Sequence, residues 1–313
     1  MTDAMNKPEL ENSIFLVGPT ASGKSSVGVC LAELIGGEII SLDSMQLWRG
    51  MDVGTAKPSA QDRARVPHHL VDILDPSESF SVARYVNLAC AAVRDIAARG
   101  RVPLFVGGTA LYLKSLTAGI FEGPPADWEL RTRLRAIAAD KGSPFLHDRL
   151  RGVDPDAADR IHPNDLRRII RALEVFEKTG LPISQLQQQW REGRDEDPPI
   201  FGIDRERDDL YERINTRVDR MMSEGFLEEV QGLHDRGLGR EASQAMCYRE
   251  LIAHLSGEIT DLDEAVELIK RNTRRFAKRQ LTWFRGFPEI VWIHAGPDDT
   301  PEEIAGRIRQ HIP

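Results

Sequence analysis

Apolar residues come in short runs at the start of the chain, and longer stretches of helical periodicity separate them. Residues 14–17 (Ile-Phe-Leu-Val), 38–42, 69–74 and 102–106 read as four short strands. Such runs suit strands buried on both faces of a sheet. Residues 82–99 carry alanines at helical spacing, and Gly100 marks a stop. Strand and helix alternate as in βαβ units, so a parallel sheet flanked by helices is expected. The rhythm changes at Pro124-Pro125. From there to Asp197 no β-branched apolar run appears, and residues 128–140, 165–178 and 183–190 read as helices. After Pro198-Pro199, residues 200–203 return as a strand, 206–284 are mostly helical, and 290–293 form a last strand. The expected layout is a core segment over 1–123, an all-helical insertion over 124–197, and the continuing core with C-terminal helices over 198–313.

The first strand leads into a specific motif. Gly18, Pro19, Thr20, Ala21, Ser22, Gly23, Lys24 and Ser25 fit G-x-x-x-x-G-K-[S/T], and residues 26–35 continue as a helix. The glycines let backbone amides wrap a phosphate at a helix N-terminus. Lys24 adds charge, and the Ser25 hydroxyl is placed to bind a phosphate-chelated Mg²⁺. An ordinary glycine-rich turn would explain neither residue. The fold class is therefore α/β, a P-loop NTPase-like parallel sheet with an inserted helical domain. The motif does not say which phosphate compound is held.

Ligands of open α/β sheets collect at the C-terminal ends of strands. Asp43 follows the second strand and reads three ways: an Mg²⁺ ligand through water, a general base, or an N-cap. Gly107-Gly108-Thr109 follows the fourth; Thr109 either contacts a ligand or caps the next helix. Arg213 and Arg217 share a helix face, suited to a diphosphate or to surface pairing with Glu212 or Asp219. Arg168 and Arg171 likewise suit phosphates or salt bridges. His68-His69 are adjacent, so on a strand they face opposite ways and read as structural.

Composition adds limits. Of 313 residues 41% are hydrophobic, enough for a globular core, and the net charge is −8. That excludes a wholly basic coat but not a local basic face. Between 270 and 285 the bases Lys270, Arg271, Arg274, Arg275, Lys278, Arg279 and Arg285 occur without an acid, interleaved with Phe276, Trp283 and Phe284. An anionic polymer is the favoured partner there, over a solvated face. Cys30, Cys90 and Cys247 fit neither a disulfide framework nor a zinc site. With no long apolar segment, a cytoplasmic protein without a membrane partner is expected.

Together these segments resemble the tRNA dimethylallyltransferase family. The likeness runs through Gly18–Ser25, Asp43-Ser44-Met45-Gln46, the stretch 50–58 (Gly-Met-Asp-Val-Gly-Thr-Ala-Lys-Pro), Pro67-His68-His69 and Val106-Gly107-Gly108-Thr109. It continues through Ile161-His162-Pro163-Asn164-Asp165, residues 171–175, and Ala277-Lys278-Arg279-Gln280-Leu281-Thr282-Trp283. The resemblance implies transfer of a dimethylallyl group from its diphosphate to the exocyclic amino nitrogen of the adenosine 3′ of a tRNA anticodon. The nucleotide-binding type of loop would then hold a leaving group rather than ATP, with Mg²⁺. It implies Asp43 as base, Thr109 as a positioning group and Arg217 as a diphosphate ligand. It further implies contacts with the tRNA anticodon stem-loop at Asp43, Ser44, Met45, Gln46, Thr109, Arg131, Arg167, Arg168, Ile169, Ile170, Arg171, Gln244, Ala245, Met246, Cys247, Tyr248 and Arg249. A monomer is expected. Two positions depart from the family pattern: Met45 stands for its usual alanine and Cys247 for its usual glycine. The rival readings are a small-molecule kinase, a prenyltransferase of free adenine nucleotides, and a non-catalytic RNA-binding protein.

Overall fold

Six parallel strands make one sheet in the spatial order β3-β2-β4-β1-β5-β6 in the computed structural model, which describes residues 10, 12–119, 123–186 and 198–312. The strands are β1 (Ile14–Val17), β2 (Gly37–Ser41), β3 (His68–His69), β4 (Val102–Gly107), β5 (Ile200–Asp204) and β6 (Ile290–His294). Alternate side chains feed two cores. Phe15 and Val17 enter one core and Ile14 and Leu16 the other, as Phe105 and Leu104 do from β4. Phe15 stacks on Phe105 with ring centroids 4.5 Å apart.

The second of these cores is closed by α1 (Lys24–Ile35) and α15 (Pro301–Arg309) through Val27, Leu31, Ile304 and Ile308. The short α2 (Ala60–Arg65) precedes β3. On the other face lie α3 (Val82–Ala98), α4 (Ala110–Thr117), α10 (Arg207–Ser223), α11 (Phe226–Arg236), α12 (Arg240–Ser243), α13 (Tyr248–Leu255) and α14 (Leu262–Phe284). Their buried residues include Tyr85, Leu113, Val218, Phe226, Leu251 and Ile269.

The third strand departs from the sequence expectation of 69–74. It ends after His69, because Leu70 and Asp72 adopt left-handed backbone at φ 59° and 57°. The Asp72 carboxylate is then taken by Lys57 and Arg63. Leu74 returns only for a single bridge to Trp48.

The chain divides into two compact units, Met1–Thr117 with Glu196–Pro313, and Ala118–Asp195. The second unit is helical: α5 (Trp128–Lys141), α6 (Ser143–Val153), α7 (Pro155–Arg160), α8 (Leu166–Thr179) and α9 (Ile183–Leu186). Leu130, Leu134, Leu146, Leu150, Ile169 and Leu173 form its core. Helices α6 and α7 were not expected from the sequence. Their prolines, Pro144 and Pro155, sit in the first turn, where a missing N–H costs nothing, so they open helices rather than break them. Asp154 caps α7 through the Ala157 amide, 3.0 Å away, and its other oxygen accepts from the Ser184 amide at 2.9 Å. Residues 187–190 of the last helix expected in this unit lie outside the described residues.

Candidate active site

The loop between β1 and α1 turns through Gly23, at φ 91° and ψ 2°, a left-handed conformation that glycine adopts freely. The first-turn amides of α1 have no carbonyl partner within the helix, and they gather at this turn. Lys24 folds back over the loop and donates to the Pro19 carbonyl at 3.1 Å. Burial pushes its amine down to about 8; Asp43 opposes that fall and Arg217 adds to it.

Helix α10 brings two guanidinium groups to the same loop. Arg213 Nε donates to the Ala21 carbonyl at 3.2 Å and Arg217 Nη1 to Thr20 Oγ1 at 3.1 Å. Burial drives Arg217 below the ordinary arginine value, although Cys247 and Asp43 oppose it. The alternative pairing of Arg213 and Arg217 with Glu212 or Asp219 is not formed. Among the described residues no carboxylate pairs with Lys24, Arg213 or Arg217. Withdrawing cations from water without an acid is unfavourable, and an arriving anion offsets that cost. The arrangement is a cationic corner suited to an anion.

Two strand ends border this corner. At the end of β2, Asp43 starts no helix; its Oδ1 accepts from the Met45 amide at 2.9 Å. At the end of β4, Gly107 passes so close to Leu42 that a Cβ there would lie 2.2 Å from the Leu42 carbonyl oxygen. Thr109 then donates its amide to that oxygen at 3.0 Å, and its Oγ1 accepts from the Ser44 amide at 3.0 Å. The Thr109 hydroxyl is thus turned toward the Asp43 segment. Gln46 accepts from Ser41 Oγ at 2.9 Å. Ser25 is exposed at the start of α1.

The other expected contact residues divide by burial. In the helical unit Arg131 and Arg171 both pair with the fully buried Glu174, at 2.7 and 2.6 Å, so ion pairing within the unit is the reading realised for Arg171. Arg167 and Arg168 are exposed. Ile169 and Ile170 are 0% and 3% exposed in the helical core, so their side chains cannot reach RNA. The same correction holds for Ala245, Cys247 and Tyr248, buried in the larger core; Gln244 and Arg249 are exposed and Met246 half-buried. Cys247 holds φ 74° and ψ −40°, and its N–H donates to Glu250 at 3.0 Å.

The basic stretch on α14 is less free of acids than its sequence implies. Lys270 pairs with Asp219 at 2.7 Å and Glu267 at 2.9 Å, and Arg285 approaches Asp204 at 3.6 Å. Arg271, Arg275, Lys278 and Arg279 remain exposed. His68 and His69 take separate partners, the Val66 carbonyl and Glu38, as their structural reading expected.

Two residues at the loop carry no role in the sequence reading. Arg205, at the end of β5, donates to the Ser22 carbonyl at 2.9 Å and pairs with Asp209 at 3.0 Å. Gln280 on α14 accepts from the Thr20 amide at 2.9 Å. The signals for the second were its place in the 277–283 motif and a glutamine on the apolar face of a basic helix.

Comparison with known proteins identifies the family and the fold. A family model described as IPP transferase matches residues 46–287, and one described as Isopentenyl transferase matches 12–70. A tRNA dimethylallyltransferase of Geobacter sulfurreducens is 52% identical over 286 residues, covering 90% of this chain and 91% of its own. One from Geobacillus thermodenitrificans is 46% identical over 302 residues, covering 96% and 95%. The crystal structure of the tRNA isopentenylpyrophosphate transferase of Bacillus halodurans superposes with a TM-score of 0.69 at 44% identity, over 95% of both chains. A eukaryotic dimethylallyltransferase captured acting on tRNA gives 0.74 at 28% identity, over 91% of this chain and 74% of that one. The chain therefore belongs to the IPP transferase family, together with the bacterial tRNA dimethylallyltransferases.

Proposed function

We propose that this protein transfers a dimethylallyl group from dimethylallyl diphosphate to the exocyclic amino nitrogen of the adenosine 3′ of the anticodon in tRNA, releasing diphosphate. The observation that carries this reading is the corner itself. Buried Lys24 and half-buried Arg217, unpaired with any acid among the described residues, adjoin the loop amides, and Asp43 and Thr109 stand at the neighbouring strand ends.

The chemistry follows from that layout. An adenine amino group is a weak nucleophile, and an allylic carbon carries positive charge as diphosphate departs. Lys24, Arg217 and the loop amides stabilise the charge that grows on the leaving oxygen. As the C–N bond forms, the amine becomes acidic, and Asp43 takes its proton. One Asp43 oxygen is held by the Met45 amide, which orients the carboxylate and leaves the other for the substrate. Thr109, fastened to the Ser44 amide, positions the acceptor. The adenosine leaves its stack at a cost of about a few kcal/mol. Exposed Arg167, Arg168, Gln244 and Arg249 supply contacts to the RNA backbone.

Mg²⁺ would be held chiefly by the substrate. Among the described residues no group of three or more His, Cys, Asp or Glu is placed to hold a metal ion. The exposed Ser25 hydroxyl is the protein donor at hand, so diphosphate oxygens and water would complete an Mg²⁺ shell. Bound there, the ion would add charge neutralisation to the leaving group. The single chain carries every group invoked, so a monomer suffices. The cytoplasm, where tRNA is modified, suits three buried cysteines that form no disulfide.

The test is incubation with unmodified tRNA, dimethylallyl diphosphate and Mg²⁺, followed by nucleoside mass analysis. A prenylated adenosine 3′ of the anticodon is expected. ATP turnover without RNA would overturn this reading in favour of a small-molecule kinase.

A further inference from the structure

We infer that Gln280 is a positioning residue that fixes the spacing between the diphosphate loop and the acceptor side of the site; this rests on the transfer reading above. Gln280 lies on the buried face of α14 with Thr273, Ala277 and Phe284, and is 7% exposed. An amide in such a stripe is unfavourable unless both of its ends are bonded. Both are. Oε1 accepts from the Thr20 amide at 2.9 Å, and Nε2 donates to the Gly108 carbonyl at 2.9 Å. An N–H cannot accept and a C=O cannot donate, so only one orientation of the Gln280 amide serves.

The two partners belong to different halves of the site. Thr20 is in the phosphate loop, and its hydroxyl accepts from Arg217. Gly108 precedes Thr109, which holds Ser44 next to Asp43. One side chain therefore ties the leaving-group side to the acceptor side. The approach is tight: a Cβ on Gly108 would lie 2.5 Å from Gln280 Nε2. Leu210, Ile214 and Ala277 pack with Ala21 and Leu281, which holds the α14 backbone at a set distance from the loop.

Transfer requires the allylic carbon and the adenine nitrogen within roughly 3–3.5 Å, and a 1 Å slip costs about 10²-fold. If the nitrogen is out of place when the C–O bond breaks, diphosphate leaves with the electron pair. Water then forms the new C–O bond, loses its proton to solvent, and yields the prenyl alcohol. Loss of Gln280 should therefore uncouple diphosphate release from RNA prenylation.

The experiment compares wild type, Gln280→Met and Gly108→Ala with tRNA, dimethylallyl diphosphate and Mg²⁺. It measures kcat, donor KM, and diphosphate released per prenyl group on RNA. Methionine keeps the length and loses both bonds, while the methyl added by Gly108→Ala displaces the Gln280 amide. Each variant should lower kcat by about 10²-fold with donor KM little changed, and release more diphosphate than prenylated RNA. The double variant should lose no more than the worse single one, because both break the same bridge. Wild-type kcat in Gln280→Met, a loss confined to donor KM, or additive losses would overturn the inference. Should Gln280→Met not fold, Gly108→Ala decides the matter by the same kcat and stoichiometry. Absence of prenylated RNA from wild type would instead sink the transfer reading itself.

Discussion

Arginine and lysine do opposite work in the two units. In the helical unit Arg131 and Arg171 close on Glu174, a carboxylate with no exposed surface. Burial alone would raise that carboxyl; hydrogen bonds from Arg131, the Asp127 amide and Arg171 overcome it and hold it below the ordinary range. At the phosphate loop Lys24 and Arg217 are likewise withdrawn from solvent, but carbonyl and hydroxyl oxygens are their only hydrogen-bond partners among the described residues. Their charge is disfavoured rather than satisfied, and both titrate below their usual values. The first region has completed its electrostatics by folding; folding leaves the second uncompensated. The presence of a cation in a motif does not distinguish the two, whereas the presence of a buried acid opposite it does.

Asp43 tests this contrast most severely. It is the acid whose field props up Lys24, so charge alone would make it a counter-ion. Asp43→Asn preserves shape and the acceptor for the Met45 amide but cannot take a proton. As general base its loss should lower kcat by about 10²- to 10⁴-fold with both substrates still bound. Near-normal single-turnover transfer by the variant would leave Asp43 as no more than an orienting turn.

Glu174→Ala attacks the other side of the comparison. Removing the acid strands Arg131 and Arg171, whose side chains keep 20% and 32% exposure and can rehydrate. The cost should fall near the low end for a broken buried pair, about 3 kcal/mol, read as a lowered urea midpoint. Because the native carboxyl is depressed, its contribution is complete above the unfolded pKa and is lost as pH falls through the folded value. An unchanged midpoint would mean that the pair contributes nothing.

Lys24→Ala removes one charge-assisted contact to the leaving group and should weaken donor binding about 10- to 150-fold, with tRNA binding nearly intact. Equal loss of RNA affinity in a filter-binding assay would contradict that. The wild type also has a pH signature. Lys24 is charged below about 8 in the folded protein and loses its proton above it, so donor affinity should decline as pH rises through 8. The decline is about tenfold per unit until the pKa of the bound state is reached. Lys24→Arg should flatten it. Stability moves the other way: between 8 and the unfolded value of 10.5 the unfolded chain binds more protons, so folding is favoured as pH rises.

Much of the corner was legible in the sequence because it is local. The loop spacing, the strand before it, and the four-residue interval of Arg213 and Arg217 are short-range signals of sheet and helix geometry. What escaped is long-range. Glu174 lies 43 positions from Arg131, and nothing in either helix announces the other. Gln280 lies 260 positions from Thr20 and is flanked by bases that draw the reading toward solvent. Helices α6 and α7 were hidden by prolines whose meaning depends on position within the turn. The third strand was cut short by left-handed backbone at Leu70 and Asp72; aspartate tolerates that conformation, but leucine does not advertise it.

Backbone strain separates the units as well, and gives the smallest effect. In the helical unit the described residues with positive φ are all glycines: Gly119, Gly142 and Gly180. In the sheet unit Asn12, Ala21, Ala56, Leu70, Asp72 and Cys247 adopt it with a Cβ. Cys247, one of the two departures from the family pattern, keeps φ at 74° while its amide reaches Glu250 and its thiol packs against Thr273. Cys247→Gly relieves the Cβ strain but gives up a buried sulfur and frees the unfolded chain, so its change from wild type is small. Cys247→Ala gives up the sulfur and keeps the strain. The glycine variant should therefore be the more stable of the two by about 1 kcal/mol, the reverse of their order inside a helix. Paired urea titrations of the two variants measure the difference directly. An alanine variant as stable as the glycine one would mean that residue 247 relaxes to negative φ in solution, and that the sheet unit stores no strain beside Arg217.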